Sequence, residues 1–541
     1  MNRRLIAREW IAYIMLLLVA LYVFNHWVGY SLLDPANVAW LYERDYRQNL
    51  SAINLFRTSP WHFPLGVVSS TDYPVGSNII FMDGNLLLAT LTKLLTPTGK
   101  AVQPYGWWIL FCLCMQFTSA YWLLRNLTTP SLPSFLGALL IGIAPIFFFR
   151  IFHLNLLPHF LIIIGWGAVL ARDMPDKRRL FIFLSLIFVS ISTHFYFTPP
   201  LVAMALLSHW NAGKFAAKKD AIAHLAYRGA VIMGFTAATM FATGYFQKFT
   251  GASDGFGFYS MNLNAFINPM GTSSYLMTLP NGTEGQYEGY QYLGLGAIIC
   301  LLLCYWLMQK GMFANTPKSV LYFWAFIILF SLSNRVYLGS GLIFGANLPE
   351  WLMKSVSPFR SSGRYAWFVI YPVLAISFTN AHSYIKDKFG QSKLVMLAFS
   401  AAALCLATIQ YQDIKSIVRG KKFDVLPLAE RVDLKVAKAI KDYVSSTHFI
   451  GPIFIDVSDT NTNKDLFTSL TLELVGEKIN ISPAPNVREN IKYTHRDHIK
   501  DTLDAGGLIV SHNCHPALAT DSINLIDGWC LLRKQKTTQP I

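Results

Sequence analysis

The chain has 541 residues, of which 53% are hydrophobic, 14% aromatic and only 14% charged, with a mean hydropathy of +0.38. A soluble chain typically carries about 25% charged residues, so the composition argues against a soluble enzyme and for an integral membrane protein. The net charge of +15 falls in short clusters between apolar runs and not along one face, which argues against a nucleic-acid partner.

The amino terminus, Met1 to Arg8, carries Arg3, Arg4 and Arg8 before an apolar stretch with no small-residue cleavage site, and reads as a signal anchor. The positive-inside rule keeps that end in the cytoplasm. Apolar runs of the roughly 17–25 residues needed to cross about 30 Å of hydrocarbon recur along the chain. The first is at 10–30, and others are predicted at 105–125, 132–149, 155–171, 180–195, 197–210, 226–245, 291–309, 319–336, 365–382 and 393–411. This threading places Lys177-Arg178-Arg179, Lys218-Lys219, Lys310 with Lys318, and Lys386 with Lys388 on the side of Arg3 and Arg4. Two short spans are preferred around His194, because Thr198-Pro199-Pro200 breaks a helix and a single span would put Arg178 or Lys218 outside.

The predicted fold is mainly α: a polytopic transmembrane helical bundle of about 11 spans over residues 1–411, with a small C-terminal α/β extracytoplasmic domain over 412–541. The long loops 31–104, 246–290 and 337–364, the turn Arg150 to His159 and the tail all face outward, so the chemistry is expected there.

In the first outer loop, residues 46–57 read as a helix lying along the membrane interface, with Leu50, Ile53, Leu55 and Phe56 toward lipid or core. Asp45 stands at its amino end, followed by Gln48, Asn49 and Arg57. Ionisable groups beside hydrocarbon are expensive and usually functional. The bland alternative makes Asp45 an N-cap and Glu43–Arg44 a surface pair. Asp83, ahead of the short apolar run Leu86 to Leu95, has three readings. It orients an acceptor hydroxyl, holds a divalent cation such as Mg²⁺ or Mn²⁺, or starts a re-entrant helix.

Arg150 with His153 and His159, and His194, form an outward group suited to an anion, and no HExxH or paired CxxC spacing points to zinc. Tyr259, Asn264, Gln286 and Glu288 interleave rings with amides and a carboxylate, as sugar recognition requires, whereas an aromatic belt accounts for the rings alone. Phe359-Arg360-Ser361-Ser362-Gly363-Arg364 ends at a span, where the arginines either grip a phosphate or snorkel to headgroups.

In the tail, Ile453 to Val457 and Gly507 to Val510 read as buried parallel strands and Leu428 to Val444 as an amphipathic helix. Cys514 and Cys530 either form a disulfide, worth about 3 kcal/mol for a loop of about 15 residues, or remain buried thiols.

With these segments assembled, the chain resembles the GT-C superfamily, the multi-span glycosyltransferases that use polyprenyl-phosphate-linked sugars, and more closely an uncharacterised bacterial membrane family within it. The likeness rests on Asp45 to Arg57 with Ser59-Pro60-Trp61, Gly76-Ser77 to Asp83-Gly84-Asn85, Gly255 to Ser260, Gly285 to Gly289, and Phe359 to Arg364. It implies a bacterial inner-membrane enzyme that moves a sugar from a polyprenyl-phosphate donor to a glycan or lipid-linked acceptor on the periplasmic face. It also implies a catalytic aspartate at Asp45 that takes the acceptor proton as general base, with Asp83 positioning the acceptor or a cation. Arg360, Arg364, Arg150 and His153 would serve the donor phosphate, and Gln48, Asn49, Arg57, His194, Tyr259, Asn264, Gln286 and Glu288 the sugar or acceptor. Asn49 stands where the commoner pattern has His, and no tight acidic doublet is present. The rival reading is a transporter or flippase of a lipid-linked glycan, which predicts a charged midplane path and internal repeats.

Overall fold

The computed structural model describes residues 3–42, 45–97, 99–171, 173–212, 218–247, 255–390, 392–419, 431–457, 459–477, 479–483, 495–512 and 520–534. Glu43, Arg44 and Cys514 lie outside the described residues, so the surface pair and the disulfide expected there do too.

The architecture is mainly helical. Among the described residues, the helices Ala7–Trp27, Tyr105–Asn126, Ser131–Phe149, Lys219–Thr243, Ser362–Phe389 and Lys393–Ile414 are long and apolar enough to cross a membrane. A helix satisfies its own backbone hydrogen bonds, which is why an apolar run of this length takes that form in hydrocarbon. Shorter apolar helices occupy Leu86–Leu95, Leu154–Leu170, Leu295–Met308 and Lys318–Leu332.

Burial sorts the long helices into two groups. Tyr105–Asn126, Ser131–Phe149 and Ser362–Phe389 are 67, 83 and 72% buried and form the centre, while Ala7–Trp27, Lys219–Thr243 and Lys393–Ile414 are 28, 17 and 17% buried and form the rim. The rim helices expose Trp10, Ile11, Leu18, Phe241, Leu394 and Leu397, a surface suited to lipid.

Close helix contacts rest on missing side chains. A Cβ on Gly296 would stand 2.2 Å from the Leu406 carbonyl oxygen, so only glycine lets Leu295–Met308 pack this tightly on Lys393–Ile414. At the end of the first helix, Trp27 stacks on Tyr411 at 4.9 Å and meets Phe148 edge-on at 4.5 Å. The break at His194 is present: Asp176–Thr193 stops, Phe195–Phe197 makes one tight turn, and Thr198–Ala212 begins. Pro199 and Pro200 fall in its first turn, where a missing N–H removes no helical bond.

The C-terminal segments build one five-stranded sheet in the order Ile481–Ser482, Ile453–Asp456, Leu508–His512, Trp529–Lys534, Thr520–Asn524. The two strands expected to be parallel are parallel neighbours, with Ile453 opposite Leu508 and Ile455 opposite Val510. Helix Val432–Thr447 buries Val436, Ala437, Ile440 and Val444, one stripe at helical spacing.

Tyr46–Thr58 is a helix, and of the two environments expected for Leu50, Ile53, Leu55 and Phe56 they take the core. Helices Leu86–Leu95 and Thr460–Glu473 pack against it. Arg47 pairs with Asp465, which Arg431 also approaches at 3.3 Å, and Ser51 Oγ donates to Thr468 Oγ1 at 3.1 Å. The Tyr73 N–H donates to Ser482 Oγ at 2.9 Å, and Thr71 Oγ1 to the Ile481 carbonyl at 2.8 Å. The C-terminal sheet is therefore tied to both the helix after Asp45 and the loop before Asp83.

Asp413, at the end of Lys393–Ile414, is fully buried and accepts from Ser273 Oγ, from the Tyr292 hydroxyl at 2.7 Å and from the Leu295 N–H at 2.8 Å. Asp413→Ala strands these donors, and we expect denaturation of the detergent-solubilised protein to show a loss of at least about 3 kcal/mol.

Candidate functional site

Two glycines decide which loops meet. A Cβ on Gly289 would stand 2.3 Å from the Ser260 carbonyl oxygen, and one on Gly363 would stand 2.5 Å from the Gly289 Cα. The backbones of 259–261, 285–289 and 361–364 can thus lie directly against one another, and Gln291 Nε2 fastens the contact by donating to the Gly363 carbonyl at 2.6 Å. Glu288 and Arg364, each next to one of these glycines, are brought together.

Glu288 is held from two sides. Its Oε2 accepts from Arg150 Nη1 at 2.7 Å and from Arg364 Nε at 3.0 Å, and its Oε1 accepts from Arg364 Nη2 at 2.7 Å. Arg150 Nη2 also donates to the Glu288 main-chain carbonyl at 2.9 Å. The Arg150 side chain is 0% exposed, and those of Glu288 and Arg364 are 6 and 11% exposed. Burial alone would raise the Glu288 carboxyl, but Arg364 and then Arg150 outweigh it and hold the group well below the usual carboxylate range.

Two sequence assignments change as a result. Glu288 has its carboxylate committed to arginines and is not a sugar-binding residue, and Arg150 is a buried partner of Glu288 and not a phosphate ligand. The two guanidiniums and one carboxylate leave the group with one net positive charge. His153 Nε2 lies 3.8 Å from Glu288 Oε1 at its edge.

The break between Asp176–Thr193 and Thr198–Ala212 supplies the next wall. The Arg364 guanidinium lies 4.9 Å from the centre of the Tyr196 ring. The Tyr196 hydroxyl accepts from the Ser361 N–H at 3.1 Å, and His194 Nδ1 accepts from the Tyr196 N–H at 3.2 Å. Burial, then Arg364 and His153, push the His194 imidazole down to about 3, so it serves as a neutral hydrogen-bonding group.

The acids stand opposite. Asn49 Nδ2 and Asn155 Nδ2 both donate to the Asp83 main-chain carbonyl, the latter at 2.6 Å, and hold Asp83 at φ +54°. Asp83 does not cap the following helix: Asn85 does, accepting from the Leu88 N–H at 3.0 Å. The Asp83 side chain is open to solvent. Even so, burial and then the charge of Asp45 push its carboxyl up to about 6, against partial relief from Asn155, Arg364 and Asn49. The charges of Asp45 and Arg364 both act on this carboxyl, so the two acids and the arginine share one neighbourhood, open to solvent at Asp83 and Asp45. Asp45 is also exposed and stands at the N-cap position of Tyr46–Thr58, where its side chain makes no capping hydrogen bond. One turn on, Gln48 is buried with its amide nitrogen unpartnered among the described residues.

Other candidates belong elsewhere. Arg57 is buried and donates to the Pro97 and Lys100 carbonyls and to Asn54 Oδ1 at 3.0 Å, closing its own loop. Asn264 Nδ2 donates to the Pro280 carbonyl at 3.0 Å. Gln286 Oε1 accepts from Asn262 Nδ2 at 2.9 Å and the Gly282 N–H at 2.8 Å. These three side chains hold their own loops, while Arg57 Nε and Asn264 Oδ1 keep no partner among the described residues. Arg360 is exposed and lies 5.3 Å from the Tyr259 ring centre, apart from the Glu288 group. Asn155 and Tyr196 are the residues that sequence reasoning missed; their only signal was polarity inside apolar turns. Asp45 and Asp83 are the carboxylates here that could hold a cation.

A family model described as a domain of unknown function, DUF6311, matches residues 17–415. The chain belongs to this family. No curated protein matches it. The DUF6311 match takes in all of these site residues, from Asp45 to Arg364, and ends before the C-terminal sheet.

Glu288→Ala would leave Arg150 and Arg364 facing each other unpaired, and removing one partner of a buried pair costs about 3–5 kcal/mol. A thermal melt in detergent should show that loss, with Glu288→Gln intermediate.

Asp83 gives a pH signature. Its folded value of about 6 lies above the ordinary 3.8, so the folded state holds more protons between the two and stability falls as pH rises through that window. Asp83→Asn should therefore melt higher than the parent at pH 8 and no differently at pH 4.

Proposed function

We propose that this chain is a GT-C-type glycosyltransferase that moves a sugar from a polyprenyl-phosphate donor to a glycan or lipid-linked acceptor. The observation that carries the reading is the meeting of opposite charges: the Asp83 carboxyl, raised to about 6, feels both Asp45 and the Arg364 that Glu288 holds beside Arg150. The proposed setting is a bacterial inner membrane crossed about 11 times, with the amino terminus cytoplasmic and the C-terminal α/β unit periplasmic.

A general base works best when its pKa lies near the working pH, which suits Asp83 to taking the acceptor proton. Asp45 then orients the acceptor, or shares a divalent cation with Asp83. The acceptor oxygen attacks the anomeric carbon as the carbon–oxygen bond to the lipid phosphate breaks, and the proton passes to the carboxylate. Charge develops on the departing phosphate, and Arg364 and His153 are the groups on that wall able to stabilise it. Glu288 keeps Arg364 in place. His194, Tyr196 and Gln48 offer hydrogen-bonding and stacking surface for a sugar, and Arg360 on Tyr259 stands further out.

The test is transfer by the protein in liposomes, supplied with a panel of polyprenyl-phosphate sugars and lipid-linked acceptors. Asp83→Asn should lower the rate about 10²–10⁴-fold and abolish the rising limb of the pH profile near 6. Full activity of Asp83→Asn would sink the base assignment, and movement of a lipid-linked glycan across the bilayer without transfer would replace the enzyme reading by a flippase.

A further inference from the structure

At the other end of the helix that leads to His194, a second polar group lies between helices, part-buried. Asp176 opens Asp176–Thr193, His209 sits in the last turn of Thr198–Ala212, and His224 and Arg228 lie one turn apart on Lys218–Thr243. The 18 residues of Asp176–Thr193 span about 27 Å, so this group is remote from the site above.

His209 Nδ1 lies 2.7 Å and His224 Nε2 3.5 Å from the same oxygen, Asp176 Oδ1. The donor atoms of all three residues fall within 4.8 Å of one another. We propose that Asp176, His209 and His224 form a binding site for a zinc-like transition-metal ion, pinning three helices together.

The geometry fits such an ion. Zinc binds imidazole nitrogen and carboxylate oxygen at about 2.0–2.2 Å in a tetrahedron, which sets neighbouring donors about 3.4 Å apart. The His224–Asp176 separation already has that value, and the His209–Asp176 hydrogen bond opens by about 0.7 Å when an ion replaces the proton between them. Two nitrogens and one oxygen favour zinc, cobalt or nickel over magnesium or calcium, which take oxygen ligands. The His209 side chain is fully buried, while Asp176 and His224 are 36 and 28% exposed, leaving an entry path and room for a water as fourth ligand.

Arg228 pairs with the other carboxylate oxygen, Asp176 Oδ2. In the metal site it orients the carboxylate from behind, and its positive charge weakens binding of a cation. The neighbouring Arg179 is turned away, donating to Ser208 Oγ at 2.7 Å and to the Ala171 carbonyl at 2.9 Å.

The test needs no enzymatic activity and is independent of the proposed function. Full-length protein in detergent is stripped with a chelator, loaded with ZnCl₂ or CoCl₂, desalted and analysed for metal, with the cobalt form read by its visible absorption. One equivalent per chain and a tetrahedral cobalt spectrum are expected. His224→Gln, at a half-buried position, should lose both while keeping its melting temperature without metal. Arg228→Gln should bind more tightly, an increase that a purely structural Asp–His–Arg network does not predict. Failure of the parent protein to retain stoichiometric metal, or retention unchanged in His224→Gln, overturns the proposal.

Discussion

The site depends on one buried carboxylate. Glu288 is the point at which the loop after 255, the turn after Ser131–Phe149 and the start of Ser362–Phe389 are joined, because it accepts from Arg150 and Arg364 at once. Either arginine alone in this interior would carry a large desolvation penalty. With Glu288 between them the charges are satisfied, and Arg364 is left at the wall of the site with its face on Tyr196. The same pairing keeps the net charge of that wall positive, which suits a departing phosphate in the proposed reaction.

The acidic wall is built differently. Asp83 is fixed through its backbone carbonyl by amides from Tyr46–Thr58 and from the 154–156 turn, and Asn155 Nδ2 also lies 3.5 Å from its carboxylate Oδ1. The helix carrying Asn49 is in turn clamped by Thr460–Glu473 through Arg47–Asp465 and Ser51–Thr468. The C-terminal sheet thereby supports the acids from a distance, outside the stretch matched by the DUF6311 family model. Burial and the neighbouring charge of Asp45, against partial relief from Asn155, Arg364 and Asn49, hold the Asp83 carboxyl at about 6.

The helices were legible in the sequence because hydrophobic runs and proline breaks are local signals: a helix is found at each expected apolar run, including the pair on either side of His194. Tyr46–Thr58 was also legible as a helix, but its burial was not, since the residues that cover it lie some 400 positions later. The same limit explains the site. Asp45, Asp83, Arg364, His153 and His194 stood out as polar groups in apolar surroundings, and the structure brings them within reach of one another's charges. What a local pattern could not show was that Glu288 and Arg150, 138 positions apart, cancel each other, or that Arg57, Asn264 and Gln286 spend their hydrogen bonds on their own loops. Pairing converts a candidate ligand into scaffold, and pairing is a property of the fold.

The central claim is that one site, bounded by Asp83 and Arg364, receives the phosphate of a polyprenyl-linked sugar. The most direct measurement is an electron cryo-microscopy map of the protein with a non-hydrolysable polyprenyl-phosphate sugar analogue. The account predicts phosphate density in contact with Arg364 and His153, and the sugar between it and the Asp83 carboxyl. Density for the phosphate away from these residues, with the site filled only by water, would contradict it.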